Sequence, residues 1–128
     1  MNRYMTVGLS MLAGAALAAV AIEALHAQAK PMAYSIALNT VTDQDKYAKE
    51  FAPLIAKAIA DAGGKFLARG GKTVPMHGAS PAQRVVIVQF ESLEKAEAWA
   101  NSAASKAAFE IGEKYAKLND FLVEGVAP

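Results

Sequence analysis

The side chains of this 128-residue chain that could bind or transform a small molecule are polar groups on short β-prone runs and one loop. Arg69 can grip a carboxylate through two parallel hydrogen bonds from its guanidinium. We predict that Asn39, Gln89 and Glu124 join Arg69 as ligand-binding residues. His77 is the catalytic candidate, because an imidazole with an unperturbed pKa of about 6.5 suits proton transfer near neutral pH.

Structural roles compete with each of these chemical roles. Arg69 can equally be an exposed hairpin residue or pair with a carboxylate such as Glu124. A lone histidine in a loop of Gly, Ser and Pro, such as His77, is more often only solvated. The helical spacing of Trp99 favours core packing over stacking on a ligand. Both readings stay open until the fold is known.

Composition excludes several classes of protein. The chain has no cysteine, which removes disulfides, thiolate metal sites and cysteine nucleophiles. The chain has two histidines, and only His77 lies outside the first 29 residues. One histidine without cysteine would need a carboxylate cluster that the spacing does not assemble, so we predict no metal and no cofactor. Thirteen basic and twelve acidic residues are interspersed and give a net charge of +1. This balance excludes the basic surface that nucleic-acid binding requires.

The sequence GGKT at residues 70–73 resembles the end of a phosphate-binding P-loop. A P-loop needs an earlier glycine at position 66, where this chain has Phe66. The loop must also lead directly into a helix whose N-terminus meets the phosphates, and Pro75 ends any such helix early. The sequence therefore predicts no nucleotide P-loop.

Residues 1–29 have the organisation of a secretory signal peptide. A cationic start precedes an apolar run from Met5 to Ile22, and small residues at 27–29 complete the pattern that is cleaved before Lys30. An uncleaved membrane anchor is the alternative, because a run of about 18 apolar residues is borderline for spanning a bilayer. In either case we expect residues 30–128 to form one domain in the bacterial periplasm. A membrane is a partner only if the leader is retained.

Hydrophobic periodicity predicts strands and helices in the order β-α-β-β-α-β. The predicted strands are 33–41, 84–91 and 121–126, together with the short β-prone runs 65–69 and 72–76. The predicted helices are 43–62, a second one that Ser92 caps and that continues through Trp99, and 104–118 after a break at Asn101-Ser102, where Ser102 is a second cap. Gly70-Gly71 is expected to turn a hairpin or to bulge a strand. Pro53 is expected to kink or break the first helix.

This order predicts an α+β fold of the ferredoxin-like type, with one antiparallel sheet and both helices on one side. The second face of the sheet is then free. We expect the helix-covered face to carry Tyr34, Ile36, Leu38, Val86, Val88 and Phe90. We expect the open face to carry Ser35, Asn39, Val85, Ile87, Gln89, Arg69 and Glu124. Such a mixed face suits a partly wet interface between two sheets.

Several short motifs together resemble the domain-of-unknown-function family 1330, from about Ala33 to Val126. They are Tyr34, Gly63-Gly64, Arg69-Gly70-Gly71, Phe90-Glu91-Ser92, Trp99, Asn101-Ser102 and Val123-Glu124-Gly125. The resemblance implies a dimeric α/β barrel, in which two ferredoxin-like subunits pack sheet against sheet. Its wider superfamily includes cofactor-independent monooxygenases, haem-processing enzymes, isomerases and non-catalytic stress proteins, so the fold does not determine the activity.

The chain departs from this family pattern at three places. His77-Gly78 stands where the family usually has Glu-Gly, Ala100 where it has a tyrosine, and 102–105 reads Ser-Ala-Ala-Ser instead of Ser-Pro-x-Tyr. Three side chains able to act as acids or hydrogen-bond donors are therefore exchanged or lost. Any activity that depends on them is in doubt here.

Three hypotheses of function follow. The first is an exported homodimer that binds a small acidic or aromatic molecule between its two sheets without converting it. The second is a cofactor-independent enzyme of the same fold, monooxygenase-like or isomerase-like, in which Arg69 orients the substrate and His77 moves a proton. The third is a non-catalytic structural or interaction protein of the cell envelope.

Overall fold

The computed structural model describes residues 30–80 and 83–128, and the predicted leader, residues 1–29, lies outside this part of the chain. The strands are β1 (Ala33–Val41), β2 (Lys65–Arg69), β3 (Arg84–Phe90), β4 (Ala116–Lys117) and β5 (Asp120–Glu124). The helical segments are α1 (Gln44–Lys46), the π-helical turn Tyr47–Phe51, α2 (Ala52–Asp61), α3 (Leu93–Ala100) and α4 (Ala103–Gly112). None of the described helices is long and apolar enough to cross a membrane.

β1 is the central strand of the sheet. It runs antiparallel to β3 on one side and to β5 on the other, while β2 pairs with the outer edge of β3. The short β4 pairs with the last residues of β1. The strand order β2-β3-β1-β5, antiparallel throughout, is that of the ferredoxin-like arrangement. The predicted α+β fold is therefore confirmed.

Serine caps start α3 and α4 where the sequence predicts them. The hydroxyl of Ser92 accepts a hydrogen bond from the backbone N–H of Lys95 at 3.2 Å, and the hydroxyl of Ser102 accepts one from Ser105 at 3.2 Å. Each bond satisfies an amide that the first helical turn leaves unpaired. The predicted break at Asn101-Ser102 is present as the boundary between the two helices.

Pro53 distorts the first helix without ending it. It lies in the first turn of α2, where proline is tolerated, and the turn before it is π-helical. In that turn the N–H of Ala52 donates to the carbonyl of Tyr47, five residues back. A single wide turn of this kind is a common way for a helix to absorb a local irregularity. Tyr47 and Phe51, at its two ends, are both buried.

Two predicted boundaries in the second half of the fold are wrong. Residues 72–76 are exposed and form no strand, so β2 pairs with β3 across a long loop instead of closing a hairpin. Pro75 lacks the N–H that a ladder needs, which disfavours pairing there. The last helix ends at Gly112 instead of 118, because the chain turns there to add β4 to the end of β1. The final strand covers Asp120–Glu124.

The two faces of β1 are the reverse of the prediction. Ser35 lies opposite Val88 and Asn39 lies opposite Arg84, and the exposed fractions of Ser35 and Asn39 are only 5% and 4%. Alternation separates the two sets of β1 side chains but does not say which set faces the helices. The polar set faces inward here, because hydrogen bonds from the surrounding structure satisfy Asn39.

The remaining side chains of the sheet follow from this register. The open face carries Tyr34, Ile36 and Leu38 from β1, Val85, Ile87 and Gln89 from β3, and Phe121 and Val123 from β5. The β3 prediction is therefore confirmed. Glu124 lies opposite Ala33, on the same side of the sheet as Ser35, so its placement on the open face is wrong. The open face is more apolar than predicted.

A β-bulge at Leu67 determines which way Arg69 faces. Plain alternation would put Phe66 and Arg69, three residues apart, on opposite faces of β2. The register shift between Phe66 and Ala68 adds one residue and reverses the alternation beyond it, so Arg69 lies opposite Val86. The guanidinium carbon of Arg69 is 4.3 Å from the centroid of the Phe66 ring, on the same face. The prediction that Arg69 lies on the open face is therefore wrong.

Two hydrophobic clusters fill the space between the sheet and the helices. The larger combines α2, α3, β1 and β3 around Ile59, Phe90 and Trp99. The smaller surrounds Tyr47 and Phe51, next to α4 and the end of β1. Burial of these aromatic and aliphatic side chains is the main stabilising contribution in a domain without disulfides.

Candidate functional site

A cleft lies on the helix-covered face of the sheet, and residues of both hydrophobic clusters line it. Its apolar wall includes Phe51, Ile59, Val88, Trp99 and Phe109. The cleft is partly open to solvent, and the volume that the centre of a water-sized sphere can occupy in it is about 50 Å³. Since one water needs about 10–15 Å³ by this measure, the cleft has room for a few waters or one small functional group. A larger ligand would extend from the cleft into solvent.

The polar lining is concentrated where β1, β2, β3 and β5 each contribute a side chain. Asn39, Arg69, Arg84 and Asp120 all line the cleft. They come together because Asn39 lies opposite Arg84, while Arg69 and Asp120 lie in the row of Val86 on the two outer strands. An apolar cleft with a few convergent polar groups is the usual form of a small-molecule site.

Arg84 is held between an aromatic ring and a glycine. Its guanidinium carbon is 5.5 Å from the centroid of the Tyr47 ring. A Cβ atom built on Gly70 would lie 2.2 Å from one terminal nitrogen of Arg84, so a side chain there would displace the guanidinium from this position. Gly70 also has a φ of +67°, a conformation that disfavours other residues. The guanidinium of Arg84 thus lies close against the backbone at the end of β2.

Arg84 forms no ion pair with a carboxylate of the described residues. Its Nε atom is buried and has no hydrogen-bond partner within residues 30–80 and 83–128, and no described acid forms an ion pair with Arg69 or Arg84. The two arginines are diagonal neighbours across β2 and β3, a relationship that places Cβ atoms about 7–8 Å apart. Two like charges therefore share one end of the cleft without compensation.

A short hydrogen-bond network orders the adjacent part of the cleft. Asn39 Nδ2 donates to the hydroxyl oxygen of Tyr47 at 3.2 Å, and the backbone N–H of Asn119 donates to Asn39 Oδ1 at 3.4 Å. The network fixes the Asn39 amide and leaves the hydroxyl proton of Tyr47 to point elsewhere. It therefore connects the polar end of the cleft to the loop before β5.

Asp120 lies at the other side of the cleft. The residue as a whole is exposed, but partial desolvation of its carboxyl group raises the pKa, with a smaller contribution from the negative charge of Glu113. Asp120 and Arg69 are separated by three strand spacings, which is about 14 Å between backbones. The cleft therefore has a cationic end and, across the sheet, a carboxyl group that holds its proton more strongly than usual.

Trp99 contributes a second polar atom without a partner. The residue is 5% exposed and packs against Phe90 and Phe109, with ring centroids 5.0 and 6.0 Å away. Its indole Nε1–H is buried and finds no acceptor in the described part of the chain. Buried tryptophan N–H groups usually have a partner, so this one needs an explanation.

The structure brings together some of the predicted site residues and separates others. Arg69 and Asn39 line the cleft, whereas Gln89 lies on the open face and Glu124 does not line the cleft. His77 is in the exposed loop between β2 and β3 and is not among the lining residues. No three His, Cys, Asp or Glu side chains of the described residues cluster as metal ligands.

The sequence reasoning missed Tyr47, Arg84 and Asp120 as polar residues of the cleft. Arg84 opens a strand whose apolar run dominated the prediction, and Tyr47 looked like one more position of a buried helical face. Asp120 lay outside the predicted final strand. The alternation of β3 already put Arg84 on the face of Val86, so it was the one residue with a usable signal.

A second groove, of about 340 Å³, runs over the outer surface of the helices. Alanines form much of its lining, and its charged residues are Asp61 and Lys95. Asp61 already pairs with Lys57 and Lys95 with Glu91, in each case within one helical turn. Trp99 lines both the groove and the cleft, whereas Arg84, with its unpaired Nε atom, lines only the cleft among these two, so the sheet–helix cleft is the better candidate site.

A family model described as "Domain of unknown function (DUF1330)" matches residues 32–126. The chain belongs to this family. The match spans all five strands and the helices, so the cleft lies wholly within the DUF1330 domain. The family resemblance of the sequence is thereby confirmed.

Solved structures share the fold of this DUF1330 domain at low sequence identity. A protein of unknown function from Rhodopseudomonas palustris is 13% identical, with a TM-score of 0.58 over 77% of this chain and 83% of the other. A conserved protein of unknown function from Bacteroides thetaiotaomicron, described as a possible oxidoreductase, is 15% identical, with a TM-score of 0.48 over 75% and 99%. No curated protein matches the chain.

Proposed function

We propose that this DUF1330 protein is an exported homodimer that binds a small organic molecule in the cleft between its sheet and its helices. The observation that carries the proposal is the orphaned Nε atom of Arg84 beside an apolar wall. Buried polar atoms are normally hydrogen-bonded, and leaving one without a partner costs about 1–3 kcal/mol. A ligand that supplies the acceptor removes this cost.

This proposal differs from the first expectation in where the ligand lies. Binding between two sheets would use the open face, which now carries mainly apolar side chains. Arg69 and Asn39 both lie on the helix-covered face, inside one subunit. The open face is then left for contact with a second copy of the chain.

Dimerisation through the open face is supported by its exposed apolar side chains. Phe121 and Val123 are 50% and 44% exposed, and Ile36 and Ile87 lie beside Phe121 in the same row. Light scattering should give a dimer for the purified protein and a monomer for Phe121→Lys. Leu54→Lys, at a 45% exposed leucine on α2, is the control and should remain dimeric. A wild-type monomer would contradict this part of the proposal.

Binding can be followed at the single tryptophan of the chain. Native mass spectrometry of freshly purified protein should show added mass that denaturation removes. The bound species, returned to stripped protein, should shift the single indole N–H signal of Trp99 in a proton–nitrogen correlation spectrum. If the protein has the same mass and the same indole signal before and after bound molecules are removed by denaturation, that result would count against small-molecule binding.

A cofactor-independent enzyme is the second candidate function, and Asp120 is the observation that favours it. Asp120 lines the cleft, and its raised pKa makes the carboxyl group a better proton donor or acceptor for a bound ligand than an ordinary aspartate. Asp120 would take the role first predicted for His77. Incubation with a ligand identified by mass spectrometry should then yield product in the wild type, while Asp120→Asn binds it without turnover. Equal turnover by His77→Ala would support Asp120 over His77.

Export and the envelope role concern residues 1–29. We propose cleavage before Lys30 and a periplasmic domain, on the strength of the leader pattern. N-terminal sequencing of the exported protein should begin at Lys30. A start at Met1 in a membrane fraction would favour the anchored envelope protein instead.

A further inference from the structure

We propose that the ligand is a small organic acid whose carboxylate is bound by Arg69 and Arg84 at the cationic end of the cleft. This inference rests on the proposed function and specifies the chemical class of its ligand. It depends on the position, the lack of partners and the surroundings of the two guanidinium groups.

The first argument is the shared location of two uncompensated positive charges. Both side chains belong to the helix-covered face, because the bulge at Leu67 brings Arg69 onto the face that carries Arg84. No described carboxylate forms an ion pair with either of them, and Asp120 stands three strands away from Arg69. An anion placed between them relieves their mutual repulsion and gains two charge-assisted contacts.

The second argument is that Arg84 is already oriented for binding. The Tyr47 ring and Gly70 restrict the guanidinium from two sides. A guanidinium held in one orientation loses less freedom when it binds a planar carboxylate than a lysine ammonium would. Arg69 is exposed, with its guanidinium carbon 4.3 Å from the centroid of the Phe66 ring, so its N–H groups remain able to bind a ligand.

The third argument limits the acid to one with an apolar body. The cleft volume of about 50 Å³ accommodates a functional group of a few atoms. The adjoining wall contains Phe51, Trp99 and Phe109, which favour a ligand with an aromatic or aliphatic body over one with a second charged group. Inorganic phosphate lacks such a body and would leave this wall uncovered.

Benzoate and benzamide form a matched pair of probes, because they share one shape and only benzoate is charged at pH 7. Titration calorimetry and the Trp99 indole signal, measured on protein purified after expression of the full chain, give their relative affinities. We expect benzoate to bind at least tenfold more tightly than benzamide. Inorganic phosphate should bind to the same site at least tenfold more weakly than benzoate does.

Three variants assign the preference to the arginines. Arg84→Met and Arg69→Met should each reduce the benzoate-to-benzamide affinity ratio to about one, while benzamide affinity changes less than twofold. Lys65→Met removes a charge from the same strand, and its register opposite Gln89 places it on the open face, so the ratio should stay unchanged. Arg69 is exposed, so its variant keeps the test decisive even if Arg84→Met fails to fold.

The outcomes separate this inference from the proposed function. If benzoate and benzamide both bind with equal affinity, the carboxylate assignment is wrong and small-molecule binding stands. If phosphate competes as well as benzoate, the site binds oxyanions in general and the organic-acid assignment is overturned. If Lys65→Met lowers the ratio as much as the arginine variants, the preference reflects net charge alone. If neither probe gives heat or moves the indole signal, both proposals fail.

Discussion

Replacing Arg84 by methionine should stabilise the protein while it removes anion binding. In the wild type the buried Nε atom of Arg84 has no partner in the described residues, which costs about 1–3 kcal/mol. Methionine keeps the aliphatic stem between Tyr47 and Gly70 and has no polar hydrogen. The variant loses the contact of the guanidinium with the Tyr47 ring, worth about 0.5–1 kcal/mol. The difference leaves a gain of about 1 kcal/mol.

Urea unfolding followed by the fluorescence of Trp99 can resolve this gain. A domain of this size has an m value of about 1–3 kcal/mol/M, so the midpoint should rise by about 0.5 M. The melting temperature should rise by about 4–8 °C. Lys65→Met, at an exposed position of β2, is the control and should change the free energy of unfolding by less than about 0.5 kcal/mol.

Ligand linkage gives a second comparison with the same variants. Benzoate at a hundred times its dissociation constant should stabilise the wild type by about 2.7 kcal/mol and leave Arg84→Met unchanged. A loss of more than about 1 kcal/mol in Arg84→Met without ligand would refute the reasoning. That result would mean that Arg84 is a structural residue whose contacts outweigh its unpaired Nε atom.

Three further substitutions test the packing and electrostatics of the fold. Gly64→Ala places a Cβ atom 2.7 and 2.9 Å from two buried core side chains, so urea unfolding should show the free energy of unfolding reduced by about 1–3 kcal/mol. Gly71→Ala, in open space, is the control and should change the free energy of unfolding by less than about 0.5 kcal/mol. Ser102→Ala removes the cap of α4 and should lower the free energy of unfolding by about 1 kcal/mol in the same assay. On heating, the helical circular dichroism signal of the variant should be lost at a lower temperature than that of the wild type. Asp120 has a raised pKa in the folded state, so its contribution to the free energy of unfolding falls as pH rises from about 3.9 through that pKa. Thermal melts should therefore show Asp120→Asn to be more stable than the wild type at pH 7. The difference should disappear below pH 4. A difference that grows on acidification would contradict this sign.

The general fold could be predicted from the sequence because its signals are local. The run Arg84–Phe90 alternates, Ser92 and Ser102 precede helical patterns as caps, and the motifs recur in the expected order. Each of these depends on backbone geometry within a few residues. They were therefore correct without any knowledge of the packing.

The errors concern long-range choices that local patterns do not contain. Which face of β1 meets the helices depends on whether Asn39 finds hydrogen-bond partners from residues 47 and 119. The face on which Arg69 lies depends on the bulge at Leu67, two residues earlier. No residue type in Lys65–Arg69 predicts that bulge. The cleft was consequently predicted between two sheets although its residues meet inside one subunit.

The bulge at Leu67 has a consequence for how this domain can change over time. Deleting Leu67 would give plain alternation and leave Arg69 opposite Val86, on the helix-covered face. Regular pairing of all five β2 residues, with Leu67 kept, would instead turn Arg69 to the open face and put a positive charge into the apolar surface proposed to join two subunits. A relative that lacks one residue in β2 can therefore keep this binding group in place, so gaps in alignments of β2 should be interpreted in structural register.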